Sequence, residues 1–160
     1  MYWQEIVNRI LKVKEEDFDG FLHFQLSINS TDEKKRKELF GGADVATLAD
    51  IIKHITDMPA PRKRTITLNF IVMEGIPVDV EYLMNLGLDA DYFMVKLIPL
   101  NNTNQSVDNN LQTYANYKNY DRLVELGEKF KENGIPTCVD AIAKCEEAGL
   151  CCGQLAHIFV

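Results

Sequence analysis

No apolar run in these 160 residues approaches the ~20 needed to cross a bilayer, which excludes a membrane-spanning helix as the organising feature. The start, Met1-Tyr2-Trp3-Gln4-Glu5, lacks a basic region followed by an apolar stretch, so a cytoplasmic location without a secretory leader is expected. Positive charge is in deficit. The 17 Lys and Arg against 24 Asp and Glu leave a net charge of −7, which repels a phosphate backbone and makes this stretch by itself a poor nucleic-acid binder. Cysteine is sparse and badly spread for a disulfide scaffold, because Cys138, Cys145, Cys151 and Cys152 all fall within the last 23 residues. Their spacing matches no zinc finger or ribbon, and there is no Cys-x3-Cys-x2-Cys run to hold a three-thiolate iron–sulfur cluster. Internal repeats and low-complexity linkers are also missing. One domain over 1–160 accounts for the chain, with a cysteine-bearing terminal segment at 141–160 and enough length to bury a core.

What is present is an alternation of helix and strand signals. Trp3, Ile6, Val7, Ile10 and Leu11 mark a helix over 2–14, and residues 21–28 alternate as a strand. Thr31 or Asp32 can cap a short charged helix through Leu39, ended by Gly41-Gly42. Leu48, Ile51, Ile52 and Ile55 lie on one face of a helix over about 45–57, which Pro59 and Pro61 close. A strand at 65–73, a helix at 78–87 and a strand at 92–98 follow. An Asn-rich loop at 101–113 reads as either a substrate-side flap or disorder, before a helix at 119–133 and a last strand at 136–140. This order predicts an α/β fold with parallel strands and right-handed crossovers.

The strands alternate in a way that parallel strands covered on both faces do not. Leu22, Phe24, Leu26 and Ile28 oppose His23, Gln25 and Ser27; Ile66, Leu68, Phe70 and Val72 oppose Thr65, Thr67 and Asn69; Phe93, Val95 and Leu97 oppose Tyr92, Met94 and Lys96. The apolar faces must meet helices. The polar faces then line either a barrel interior that holds a ligand or, as the plainer alternative, a face open to water, and the lined cavity is the favoured reading. Ligands in such barrels sit at the carboxyl ends of the strands, which here carry Ser27, Asn29, Glu74, Gly75 and Asn101 and lead to the segment after residue 140.

At those strand ends the chain resembles the C-terminal half of the radical S-adenosylmethionine (SAM) enzymes that methylate adenosine at carbon 2 in ribosomal and transfer RNA. Leu26-Ser27-Ile28-Asn29-Ser30 with Arg36 stands where that family has Leu-Ser-Leu-His-Ala and an Arg nine residues after the Ser. Val72-Met73-Glu74-Gly75-Ile76 stands for an apolar run followed by Asp-Gly-Val, and Leu97-Ile98-Pro99-Leu100-Asn101 for Leu-Ile-Pro-x-Asn. Lys144, Glu146, Glu147 and Cys152-Gly153-Gln154-Leu155 match a basic residue, two acids and Cys-Gly-Gln-Leu. The match runs from about residue 20 to 155. It implies a partial (β/α) barrel, about the second half of a radical SAM barrel, with an N-terminal helix.

The resemblance implies that Ser27 and Asn101 hydrogen-bond SAM; Asn69 on the polar face and Glu74 and Gly75 at a strand end are further candidate cofactor contacts. It also implies that Cys152 is the cysteine that first receives a methyl group from one SAM, before a radical made from a second activates it toward adenine. The family's cluster-binding cysteines, its second catalytic cysteine and its RNA-binding part have no counterpart in these residues, and Asn29 replaces its His. A [4Fe-4S] cluster is therefore expected only with an N-terminal half or second subunit that carries it, and an RNA substrate only with that half. No membrane partner is expected. The chain would then be a truncated product, half of a split enzyme or a SAM-pocket relic.

Two other readings stay open: a radical SAM fragment acting on a peptide or small metabolite, and a non-catalytic α/β module with a metal-binding cysteine tail. Cys145 and Cys151 read as incidental unless they join Cys138 around a cluster or zinc. His23 reads as a hydrogen-bonded interior residue, and Asp32 to Arg36 as solvated charge with Arg36 the exception.

Overall fold

The computed structural model describes residues 2–100, 104–112 and 120–140. Its elements run α1 (Tyr2–Glu16), β1 (Gln25–Ser27), α2 (Glu33–Leu39), α3 (Leu48–Thr56), β2 (Ile66–Val72), α4 (Val80–Asn85), β3 (Phe93–Pro99), α5 (Asn104–Asp108), α6 (Asp121–Glu132) and β4 (Thr137–Val139). The helix starts follow from side-chain caps. Asp32 accepts from the N–H groups of Lys34 and Lys35, Thr47 from that of Asp50 and Asp79 from that of Tyr82, each satisfying donors that a first turn leaves unpaired. Among the described residues no helix is long and apolar enough to cross a membrane.

The four strands form one all-parallel sheet in the order β1-β2-β3-β4. Sequential order with crossovers of one hand puts every connecting helix on the same face, as in a segment of a (β/α) barrel and unlike a doubly wound sheet. The apolar strand positions bear this out. Ile66, Leu68, Phe70, Phe93, Val95 and Leu97 are wholly buried against Ile52 and Ile55 of α3, Leu83 of α4, and Leu123 and Phe130 of α6. Each such side chain contributes about 1.5–3 kcal/mol by leaving water, so this layer dominates the stability of the sheet.

Three boundaries differ from the sequence reading. The strand expected at 21–28 forms a ladder only over Gln25–Ser27, because β1 lies at the sheet edge with β2 as its one neighbour among the described residues. Residues 104–108 of the Asn-rich stretch are helical. The cap of α2 is Asp32, while Thr31 turns its hydroxyl to the Pro77 carbonyl and accepts from the Asp79 N–H, tying the β1–α2 and β2–α4 loops together.

Close packing explains one glycine. A Cβ at Gly127, mid-way along α6, would sit 2.7 Å from Cγ2 of Val139 on β4. Glycine there lets α6 press onto the sheet, at a helix-propensity cost of about 1 kcal/mol.

Candidate functional site

Pairing register, which fixes which side chains are neighbours, builds the site. Ser27 pairs with Asn69, Asn69 with Lys96 and Lys96 with Cys138, so these four side chains form one row across the polar face of all four strands. At about 4.8 Å per strand the row spans roughly 14 Å. The next row toward the strand starts holds Gln25, Thr67 and Met94. The apolar face of the same strands is sealed by helices. Here Ser27, Gln25, His23 and Cys138 are exposed, and Asn69, Met94 and Lys96 are half-buried. Over the described residues this polar face is accessible to solvent.

Several polar groups of the face pair with one another, and one buried acceptor does not. His23 Nε2 lies 3.0 Å from Thr67 Oγ1, which gives His23 the structural hydrogen bond expected of it. Lys96 Nζ meets Asp140 Oδ2 at 2.8 Å, beyond the end of β4. Asn69 Oδ1 is buried and has no hydrogen-bond partner among the described residues. A buried acceptor left unpaired costs about 1–3 kcal/mol, so this atom is a position where an incoming donor would be stabilised.

The end of β1 is held by its own clip. Asn29 adopts a left-handed backbone (φ 65°) and its Oδ1 accepts from the Ile71 N–H at 3.3 Å. The Asn69 carbonyl in turn accepts from the N–H groups of Ile28, at 2.9 Å, and Asn29. This side chain is committed to the backbone. Behind it Arg36 is 2% exposed, donating to the carbonyls of Ile28 and Ala46 and to Glu33, whose other oxygen accepts from the Leu48 N–H. Arg36 is accordingly a buried strut for the β1 end.

The structure therefore brings together Ser27 and Asn69. Glu74 and Gly75 lie past the end of β2 on the α6 side, where Glu74 Oε1 takes a hydrogen bond from Arg122 at 2.7 Å. Gly75 has a left-handed φ of 71° with open space around it, so turn geometry is sufficient reason for glycine. A hollow of about 340 Å³ lies there, lined by both residues with Arg122, Glu125 and Lys129. Asn101, Cys152, Cys145 and Cys151 fall outside the described residues. Among the described residues no group of three His, Cys, Asp or Glu side chains is placed to hold a metal, and Cys138 is a free thiol.

Lys96 and Asp140 are site residues that sequence reasoning did not single out. Lys96 was legible as a polar-face residue, but its place beside Asn69 depends on a register that the sequence does not display.

At the opposite pole, a larger hollow of about 840 Å³ lies under α1, lined by Leu11, Ile55, Met58, Ile66 and Tyr92. Beside it Glu15 is bound by Lys14 Nζ, whose side chain is fully buried, and by Arg62 Nε at 2.9 Å. Partial burial pushes the Glu15 carboxyl up, but the two cationic hydrogen bonds outweigh it and hold the group below its ordinary value.

No protein-family model matches the chain. Over 100 residues, 60% of its length, it is 31% identical to the probable dual-specificity RNA methyltransferase RlmN of Aquifex aeolicus (strain VF5). The chain spans 29% of the length of that curated relative. Its fold matches the crystal structure of a radical SAM methyltransferase from Sphaerobacter thermophilus with a TM-score of 0.62 at 20% identity, over 92% of this chain and 41% of that one. The resemblance to radical SAM RNA methyltransferases carried by the strand-end motifs thus has a curated relative, and the parallel α/β architecture has a solved counterpart.

Proposed function

We propose that this chain is the SAM-binding C-terminal part of a radical SAM methyltransferase that acts on adenine carbon 2 in RNA, completed by a half that carries the [4Fe-4S] cluster. The observation that carries the reading is the unpaired Asn69 Oδ1 beside Ser27 in a row across the polar face. SAM offers hydroxyl and ammonium donors to such an acceptor, and the exposed Ser27 hydroxyl can donate or accept. These residues fit the cofactor. The described residues do not fit a cluster, which falls to the other half.

Bound SAM supplies an electrophilic sulfonium methyl group. Asn69 and Ser27 would orient the molecule by directional hydrogen bonds, while the β1 clip at Asn29 and the Arg36 strut keep Ser27 in place. Asn101 would add a third contact at the end of β3, and Glu74 and Gly75 would border the site from the β2 end. Cys152 would accept the methyl group as a thiolate, its proton released beforehand to solvent or a base, with the sulfonium–methyl bond broken and a neutral thioether left as the departing product.

A second reading, methylation of a peptide or small metabolite, is favoured by the net charge of −7. One experiment addresses both. The completed enzyme is given methyl-labelled SAM with RNA, and Cys152→Ala is compared with the wild type. Loss of label from both the chain and the adenine is expected; adenine methylation that persists in Cys152→Ala overturns the methyl-carrier role. Label on Cys152 that never reaches RNA moves the assignment to the second reading.

A further inference from the structure

We infer that Lys96 is a carboxylate-binding point of the polar face, for which Asp140 is an internal stand-in, and that the site thereby selects a ligand with an α-amino acid end. This deepens the proposed function, on which it rests in taking SAM as that ligand. Neither residue belongs to the strand-end motifs that carry the family resemblance; register and charge single them out.

Lys96 pairs in register with Asn69, so the ammonium and the orphaned Asn69 Oδ1 arise from adjacent strands about 4.8 Å apart. The ammonium only donates and carries charge, whereas the amide oxygen only accepts. An α-amino acid end offers the complementary pair, a carboxylate and an ammonium on one carbon, and SAM has such an end. One row of the face holds Ser27, Asn69, Lys96 and Cys138, the next Gln25, Thr67 and Met94, and Lys96 is the single cation in both. One ammonium neutralises a carboxylate and leaves a phosphate dianion uncompensated.

The Asp140 carboxylate shows what the point accepts, and its contact is built to exchange. Lys96 Nζ meets Asp140 Oδ2 at 2.8 Å, but the two side chains are 26% and 40% exposed, so the pair is screened and contributes little. The other oxygen, Oδ1, takes a weak contact of 3.9 Å from the Cys138 thiol. The end of β4 does not depend on the ion pair. Its backbone is fixed by the Asp140 N–H, which donates to the Leu97 carbonyl at 2.9 Å, and by the Asp140 carbonyl, which accepts from the Tyr120 hydroxyl at 3.4 Å. A ligand carboxylate can therefore replace Asp140 on the ammonium while the Asp140 side chain turns to water and the strand stays in place.

The test compares SAM with decarboxylated SAM, which lacks only the carboxylate, by titrating each into the isotope-labelled chain and following its amide resonances. Decarboxylated SAM has one more net positive charge, so a protein at −7 favours it at long range. A preference for SAM must therefore come from a local cation. SAM should bind about tenfold more tightly, the worth of a charge-assisted bond less that of the displaced ion pair. Lys96→Met should abolish or reverse that preference. Asp140→Asn removes the competing carboxylate and should tighten SAM by up to about fivefold. Both variants should unfold within about 4 °C of wild type, since a partly exposed pair is all that is lost. Equal binding of the two ligands, with Ser27 and Asn69 still shifted, overturns the inference and leaves the cofactor reading standing. A preference that survives Lys96→Met, or weaker SAM binding by Asp140→Asn, overturns it as well. Binding of neither ligand at this face overturns both the inference and the cofactor reading.

Discussion

Replacing Arg36 with Met tests whether a residue inside a charged run holds the site together. Its guanidinium donates to the Ala46 carbonyl at 2.9 Å, to the Ile28 carbonyl at 3.4 Å and to Glu33. Met fills similar volume but satisfies none of these groups. The Ala46 carbonyl loses a good bond, at about 1–3 kcal/mol for a buried group left unpaired, while the Ile28 carbonyl loses a long bond and keeps the Ser30 N–H at 2.9 Å. Glu33 is 36% exposed and can rehydrate, so its share is discounted. The sum is about 1–3 kcal/mol, a sizeable fraction of the 5–15 kcal/mol typical of a domain. Urea unfolding should show the midpoint falling with an unchanged slope, and thermal unfolding should drop by roughly 2–12 °C. Arg36→Lys should fall between, because an ammonium keeps the charge without the planar fork. Amide exchange at Ile28 and Asn29 should quicken as the β1 end loosens. Stability of Arg36→Met within about 0.5 kcal/mol of wild type would refute the strut and return Arg36 to the solvated surface.

Two further perturbations probe the packing and the charge network. Gly127→Ala should destabilise, because overpacking against Val139 costs about 1–3 kcal/mol and the gain in helix propensity returns about 1. Adding Val139→Ala should make the pair less damaging than the sum, whereas a stabilising Gly127→Ala would rule out the close approach. Glu15 is held below its ordinary value of 4.5, so its contribution is fully present above that pH and is lost as pH falls through the lower folded value. Thermal unfolding from about pH 7 to pH 3 should therefore show wild type and Glu15→Gln converging only at the acid end. Parallel curves throughout would mean that Lys14 and Arg62 do not act on this carboxylate.

The element order was legible because local signals agreed. Asp32, Thr47 and Asp79 cap helices, Gly87 and Gly134 follow α4 and α6, and strict alternation marks β2 and β3. The end of β1 was only half legible. Ser27 could be placed at a strand end from sequence, but the commitment of Asn29 to the Ile71 N–H depends on a left-handed backbone that no neighbouring residue type announces. Arg36 sits in a run of seven charged residues, Asp32 to Glu38, and is buried because the loop before α3 folds back to offer the Ala46 carbonyl. Cys138 grouped with the terminal cysteines by sequence distance, whereas register sets it beside Lys96. Asn69 was readable as a polar-face residue; its oxygen, unpaired among the described residues, emerges only from the three-dimensional arrangement of its neighbours.

The central claim is that SAM binds the polar face over Asn69 and Ser27. Titrating SAM into the isotope-labelled chain and following its amide resonances tests this most directly. Shifts are expected at the Asn69 side-chain amide and at Ser27 and Lys96, with Asn69→Leu weakening binding by about 2- to 13-fold for one lost hydrogen bond. Shifts confined to Leu11, Met58 and Tyr92 around the larger hollow at the opposite pole, unaffected by Asn69→Leu, would contradict it.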